Sequence, residues 1–147
     1  MSTAGRQLSS WRDLVHRILG ERPPADVIRG SGLRSTWLVQ TFSQLPAGAD
    51  EGTISRYAKA YALYLIGAVL FADKTSNQVQ LLYLTLLDDP WEVISEYSWG
   101  SAALGYLYRR LCGASKKGVR EIAGPLAILQ VIIITYTTST IVLISSL

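Results

Sequence analysis

The residues that could do chemistry are concentrated between positions 88 and 120 of this 147-residue chain. One group is basic, and its five members lie close together in sequence: Arg109, Arg110, Lys116, Lys117 and Arg120. Such side chains bind phosphate oxygens, and two tyrosines precede them, so the cluster is a candidate contact for nucleic acid or for a partner protein. The alternative, which we favour, is a helix end followed by a solvated turn, because cations suit the C-terminal end of a helix.

A second group of ionisable residues is acidic and comprises Asp88, Asp89, Glu92 and Glu96. Glu92 and Glu96 share one face if their segment is helical. Paired carboxylates catalyse acid–base reactions only in a cleft that shifts their pKa values. These residues follow a turn marked by Pro90, so we predict a solvated face rather than a catalytic pair.

The side chains needed for nucleophilic or metal chemistry are scarce. The chain has one histidine, His16, and one cysteine, Cys112. They cannot form a zinc site, and Cys112 has no plausible histidine base, so we expect a small, half-buried cysteine and a surface histidine. The phosphate-loop, nucleophile-elbow and zinc-protease motifs are missing from the sequence. We therefore predict a protein that is not an enzyme, with no catalytic, metal or cofactor-binding residue and no small-molecule substrate.

Helical periodicity predicts the elements that position these residues. Apolar residues from Trp11 to Leu19 form one face of a first helix. A second short helix is predicted around Trp37, with Leu33 in it, and a fourth over the segment "QVQLLYLTLL". Between them, a long helix over 54–71 is capped by Asp50 or Thr53. It is apolar all round from residue 60 to residue 72, which is typical of a central, buried helix.

The stretch "EYSWGSAALGYLYRRLC", residues 96–112, predicts the last helix before the tail, capped by Ser98. Its apolar stripe fits a packed core face better than a stacking platform for bases, and the stripe comprises Trp99, Ala103, Tyr106, Leu107 and Leu111. The predicted fold class is all-α: a compact multi-helix domain around a buried central helix, with an apolar C-terminal tail.

Charge stops abruptly before that tail. The net charge is only +3, which does not require a nucleic-acid partner, and every charged residue lies at or before Glu121. Leu126–Leu147 contains 22 residues without a charge, of which twelve are Leu, Ile or Val. That length can cross a bilayer, although its Ser and Thr residues make insertion marginal. One alternative is therefore a tail-anchored membrane protein with a cytosolic N-terminus; the other is a tail without a selected role.

Three blocks between Tyr57 and Gln130 resemble the plant mobile domain: "YAKAYALYLIGAVLFADKTSNQVQLLYLTLL", "EYSWGSAALGYLYRRLC" and "IAGPLAILQ". The resemblance extends upstream through "WRDLVHRILG" and "GLRSTWLVQTF". It implies an α-helical, non-enzymatic interaction module, although the family is often labelled aminotransferase-like. The family motif that we expect to be structural comprises Tyr97, Ser98, Trp99, Gly100 and Tyr108.

The resemblance also sets expectations about organisation and role. Relatives include plant proteins that maintain meristems and copies carried by transposable elements; they are nuclear and linked to silencing of repeats, which implies a nuclear protein with an unknown protein partner. We predict a disordered N-terminus over 1–10 and a partial plant mobile domain over 11–130. A divergent hydrophobic tail follows over 131–147, a possible transmembrane segment together with 122–130. The departure after Gln130 predicts a truncated copy.

Overall fold

The computed structural model describes residues 3–72, 77–115, 124–131 and 133–135, with side chains described from Ser10 onward. Within these ranges the α-helices are α1 (Thr3–Leu19), α2 (Ser35–Thr41), α3 (Glu51–Leu65), α4 (Leu82–Leu86), α5 (Trp91–Glu96) and α6 (Trp99–Ala114). A 3-10 turn covers Ala25–Val27, and a π-helical turn, Ile66–Leu70, continues α3. The strands are β1 (Ile28–Arg29), β2 (Gly32–Arg34) and β3 (Gln78–Gln80). Residues 126–131 and 133–135 are also helical.

Helix α1 begins at Thr3, within the segment 1–10 for which we predicted disorder. The apolar face was predicted correctly, because Val15, Ile18 and Leu19 are all buried in the core. The helix ends at Gly20, whose φ of 84° is a conformation that glycine adopts at little cost.

The small antiparallel sheet was not predicted. Its order is β1-β2-β3, and Leu33 pairs with Val79 in the register of β2 and β3. Leu33 therefore lies in a strand and not in α2, and "QVQ" is a strand where we predicted a helix. Val79 is fully buried between the half-buried Gln78 and Gln80, and this alternation is the period of a strand, too short to recognise in three residues.

Helix α3 begins as predicted, because the carboxylate of Asp50 accepts a hydrogen bond of 3.2 Å from the backbone N–H of Thr53. The hydroxyl of Thr53 also donates to that carboxylate, and these hydrogen bonds hold the pKa of Asp50 below its ordinary value of 3.8. The contact with the backbone N–H satisfies one of the donors at the helix start that the helix itself leaves without a partner.

One face of α3 is buried and the other is exposed. Ala60 and Leu63 lie in the core between α1 and α2, whereas Tyr61 is 65% exposed. The sequence had predicted a helix buried on all sides over the apolar run 60–72. That prediction was wrong, because one side of the run is exposed. At its end the chain widens into the π-helical turn, in which the N–H of Phe71 donates to the carbonyl of Ile66 over 2.8 Å.

The core is one cluster of buried residues that come from both the helices and the sheet. The predicted compact all-α class is confirmed, with the small sheet as an addition to the predicted helices. Helices α1 and α2 pack on α3, and β3 packs on the π-helical turn. The fully buried leucines and valines of the core are Val15, Leu19, Leu33, Leu38, Leu63, Val79, Leu81, Leu84 and Leu87.

The structure tests the helix that we predicted over residues 96–112, whereas most of the tail lies outside the described residues. Helix α6 begins after Ser98 as predicted, but the Ser98 side chain forms no capping hydrogen bond with the helix backbone, so the predicted cap was wrong. The stripe of α6 is a core face, since Ala103 and Leu107 are buried. Residues 136–147 and 116–123 lie outside the described residues, so the predicted tail anchor remains a prediction. Among the residues that the structure describes, no helix is both long and apolar enough for a transmembrane span.

Candidate interaction surface

The family motif at the start of α6 fixes two aromatic rings. The hydroxyl of Tyr97 donates to the carboxylate of Asp89 over 2.7 Å, and the indole N–H of Trp99 donates to the carbonyl of Ile94 over 2.9 Å. The hydrogen bond to Asp89 raises the pKa of Tyr97 above its ordinary value of 10.0. The ring centroids of Tyr97 and Trp99 are 5.7 Å apart and the planes meet at 71°. Both rings are therefore locked in direction by polar contacts.

The rest of the motif has no comparable packing. The Ser98 hydroxyl donates to the hydroxyl of Ser101 over 2.9 Å. A Cβ added at Gly100 meets no atom within 4 Å, and Tyr108 is 73% exposed. The structural role that we expect for the motif thus has contacts to support it at Tyr97 and Trp99, and remains a prediction for Gly100 and Tyr108.

Two further rings reach the same place from other elements. Phe71 follows the π-helical turn and stacks on Tyr83 of α4, with centroids 5.2 Å apart and planes at 30°. It also meets the edge of Tyr106 at 5.3 Å, and the Tyr106 hydroxyl donates to the carbonyl of Ala72 over 3.2 Å. These contacts fasten the end of the π-helical turn to α4 and α6.

The four rings line one cavity. We call it the aromatic cavity; its volume is 240 Å³ and its lining residues are Phe71, Tyr83, Leu86, Tyr97, Ser98, Trp99 and Ala102. All four rings are half-buried, so each keeps part of its surface accessible, while Ser98 and Ala102 at the margin are exposed. Sequence reasoning missed this site, because Phe71 and Tyr83 lie far from the motif in the chain.

One acidic residue, Asp89, contacts the wall of this cavity through Tyr97, and the other three acidic residues lie close to it in sequence. We name 88–96 the acidic segment. Asp88 forms an exposed salt bridge of 2.8 Å with Arg17, and the main-chain carbonyl of Asp89 accepts a hydrogen bond of 3.2 Å from Lys59. Glu92 and Glu96 are exposed on α5, as predicted, and form no salt bridge with the described residues. Without burial they lack the environment that acid–base catalysis requires.

The basic cluster is described only in part. Arg109 is exposed, whereas the guanidinium of Arg110 lies 4.7 Å above the Tyr106 ring and donates to its hydroxyl over 2.5 Å. The two arginines are therefore in different environments. Lys116, Lys117 and Arg120 lie outside the described residues, so the predicted joint contact of the five remains a prediction.

The single cysteine and the single histidine of the chain, Cys112 and His16, lie on different helices. Cys112 is exposed on α6, so its predicted half-burial was wrong, and His16 is exposed on α1 as predicted. Across the described ranges, no three His, Cys, Asp or Glu side chains are grouped in a way that could hold a metal ion.

A second cleft lies between α2 and α3. Its volume is 340 Å³, and its lining residues are Leu38, Val39, Phe42, Ser43, Ala60, Tyr61 and Tyr64. The lining is largely apolar and carries no charge, in contrast to the surroundings of the aromatic cavity.

Comparison with known proteins places the chain in a family. The profile of the plant mobile domain matches residues 2–138. The match extends beyond both ends of the domain that we predicted over 11–130, and it includes the first residues of the predicted tail. Three relatives are from Arabidopsis thaliana. "Serine/threonine-protein phosphatase 7 long form homolog" is 40% identical over 88% of this chain and 10% of its own length. "Protein MAIN-LIKE 2" is 38% identical over 80% of this chain and 17% of its own length. "Protein MAINTENANCE OF MERISTEMS" is 35% identical over 78% of this chain and 23% of its own length.

The chain thus spans less than a quarter of the length of each of these relatives. No solved structure matches it. The match to the family profile covers most of the residues, and the motif blocks that suggested the family lie within it. This chain belongs to the plant mobile domain family.

Proposed function

We propose that this domain is a non-catalytic interaction module that binds a basic segment of a partner protein on the acidic segment and the aromatic cavity beside it. The observation that carries the proposal is the charge of this surface. From residue 75 to residue 108 the chain contains four acids and neither lysine nor arginine. Two of the acids, Glu92 and Glu96, are exposed and form no salt bridge within the described residues.

Charge complementarity of this kind selects partners and speeds their encounter. The half-buried aromatic rings of the cavity supply contact area, since aromatic residues are enriched where proteins bind one another. The relation to "Protein MAINTENANCE OF MERISTEMS" fits the nuclear role that the family resemblance led us to expect from the sequence. The phosphatase in the name of another relative is not part of the proposal, because the matched region is only 10% of that protein.

The test is binding of a fluorescent twelve-residue peptide rich in lysine and arginine to the 147-residue chain, across a salt series. We expect affinity to fall as salt rises, because the contact is between exposed charges. The double variant Glu92→Gln/Glu96→Gln should bind several-fold more weakly at low salt, given about 0.2–1 kcal/mol for each exposed charge pair. The matched control is Glu21→Gln, an exposed acid on another part of the surface. Equal affinity of the double variant and wild type would reject this surface.

A second candidate is nucleic-acid binding on the C-terminal half of α6, which continues to Ala114 and has no basic residue in its last turn. The observation that favours it is the pair formed by Tyr108, 73% exposed, and the exposed Arg109 next to it. Stacking of a base on tyrosine and contact of arginine with phosphate would both be available there. Binding of single-stranded and duplex DNA should then weaken steeply with salt and with Arg109→Gln. The same affinity for wild type and Arg109→Gln would remove this candidate.

A further inference from the structure

We propose that the aromatic cavity binds the trimethylammonium group of a methylated lysine in the partner segment. This inference rests on the proposed function and names the chemistry that the partner must carry. Aromatic rings attract cations through the negative faces of their π-systems, and cages of such rings bind quaternary ammonium groups. Here Phe71, Tyr83, Tyr97 and Trp99 line one cavity of 240 Å³.

The aromatic rings that form the walls of the cavity have planes in different orientations. Tyr97 and Trp99 meet at 71°, so they form two adjoining walls. Phe71 and Tyr83 are stacked at 30° and present a further wall as a unit. A cation within the cavity is therefore surrounded by more than one ring, which strengthens the attraction relative to a single exposed ring.

The apolar lining favours a methylated over an unmethylated lysine. An ordinary ammonium group has three N–H donors that need acceptors, and burying them unpaired is costly. The lining consists of four aromatic rings, two aliphatic side chains and Ser98, so few acceptors face a buried ammonium group. A trimethylammonium group has a positive charge and no N–H donor, so it suits this largely apolar lining.

The charge around the cavity favours a cation over an apolar side chain. The carboxylate of Asp89 is 2.7 Å from the Tyr97 hydroxyl in the cavity wall, and Glu92 and Glu96 are on the adjacent helix. Three basic residues approach this region from other elements: Arg17, paired with Asp88; Lys59, bonded to the carbonyl of Asp89; and Arg110, over the Tyr106 ring that contacts Phe71. The negative group in contact with the cavity wall is the Asp89 carboxylate, and the two glutamates follow it on α5.

The experiment compares three versions of the basic peptide by calorimetry with the full 147-residue chain. One has a central trimethyllysine, one has lysine, and one has the neutral analogue in which a carbon replaces the ammonium nitrogen. We expect the trimethylated peptide to bind at least about tenfold more tightly than both others, as desolvated cation–π contacts allow. Equal affinity for the trimethylated and neutral peptides would overturn the proposal, as would equal affinity for the trimethylated and lysine peptides.

The same titrations separate this inference from the proposed function. If all three peptides bind alike, the methyl-specific site is wrong while the interaction surface stands; if none binds, both are wrong. Tetramethylammonium chloride and choline should bind far more weakly than the trimethylated peptide. A small cation that binds as tightly as the peptide would show a small-molecule site and overturn the commitment to a protein partner.

Variants assign the effect to the rings. Phe71→Leu keeps an apolar side chain and removes a ring face, so the preference for the trimethylated peptide should fall to less than about threefold. The matched control is Phe42→Leu, which changes the other phenylalanine of the chain, in the cleft between α2 and α3. Trp99→Phe is a milder second variant that should weaken the preference if Phe71→Leu does not fold. An unchanged preference in a folded Phe71→Leu or Trp99→Phe protein would overturn the proposal.

Discussion

Gly67 of the π-helical turn packs against the sheet so closely that it has no room for a side chain. A Cβ built on Gly67 would come within 2.9 Å of Val79 Cβ and Cγ2, and closer still to Val79 Cγ1. Favourable carbon–carbon contacts lie at about 3.5–4.0 Å. The substitution Gly67→Ala must therefore push the turn and β3 apart by more than about 0.6 Å.

Two opposing effects decide the sign of the change in stability. Alanine is better than glycine in a helix by about 1 kcal/mol. Overpacking of a core costs about 1–3 kcal/mol. We expect the upper end of that range, because Val79 is fully buried and a β-branched side chain has little freedom at χ1. The net loss in free energy of unfolding should then be about 2 kcal/mol.

Urea and thermal unfolding measure this loss, which at about 2–4 °C per kcal/mol lowers Tm by roughly 4–8 °C. Gly105→Ala is the control, because it changes a glycine of α6 whose added Cβ meets no atom within 4 Å. That control should be stabilised by up to about 1 kcal/mol. Val79→Ala removes the Cγ atoms that clash, so it should offset part of the loss in a double variant. A Gly67→Ala protein as stable as wild type would refute the reasoning.

Three further predictions concern packing and protonation. Leu84→Ala should cost about 2–5 kcal/mol in chemical unfolding because Leu84 is fully buried, whereas Leu82→Ala, at a side chain 63% exposed, should change stability by less than about 0.5 kcal/mol. Asp50→Ala removes the α3 cap and should lower Tm. Because the folded pKa of Asp50 lies below 3.8, the loss of stability in this variant relative to wild type is greatest above pH 3.8. It disappears as the pH falls through the lowered pKa. Because the pKa of Tyr97 is raised above 10.0, absorbance titration should show a late-ionising phenol that Tyr97→Phe abolishes, and its hydrogen bond should stabilise the fold until the pH rises through that pKa.

The long helices could be predicted because their patterns extend over several turns. The face of α1 and the Asp50 cap of α3 obey local rules. Helix α6 starts after Ser98 as predicted, although the Ser98 side chain forms no cap. The strands could not, because two or three residues are too few to show a period of two. Their pairing depends on Leu33 meeting Val79 across more than 40 residues of chain, which is a tertiary contact.

The candidate site was only half visible in the sequence. The stripe of α6 predicted a core face, and the structure confirms this at Ala103 and Leu107. The aromatic cavity needs Phe71 as well, and nothing in the local pattern indicates that the chain leaves α-helical geometry before it. The signal that was available was Gly67, a glycine inside an apolar helical run, which lowers helix stability and is explained here by the close packing of Val79.

The π-helical turn joins the packing of Gly67 to the aromatic cavity. The N–H of Phe71 bonds to Ile66, five residues back, and each residue added to a helix rotates the next part of the chain by roughly 100°. This sets the direction in which Phe71 meets Tyr83. We therefore expect Gly67→Ala to reduce both stability and the preference for trimethyllysine. Leu38→Ala, at a buried residue of α2, should reduce stability alone when binding is measured well below its Tm. Equal loss of the preference in both variants would show that binding depends on general stability rather than on the direction of Phe71.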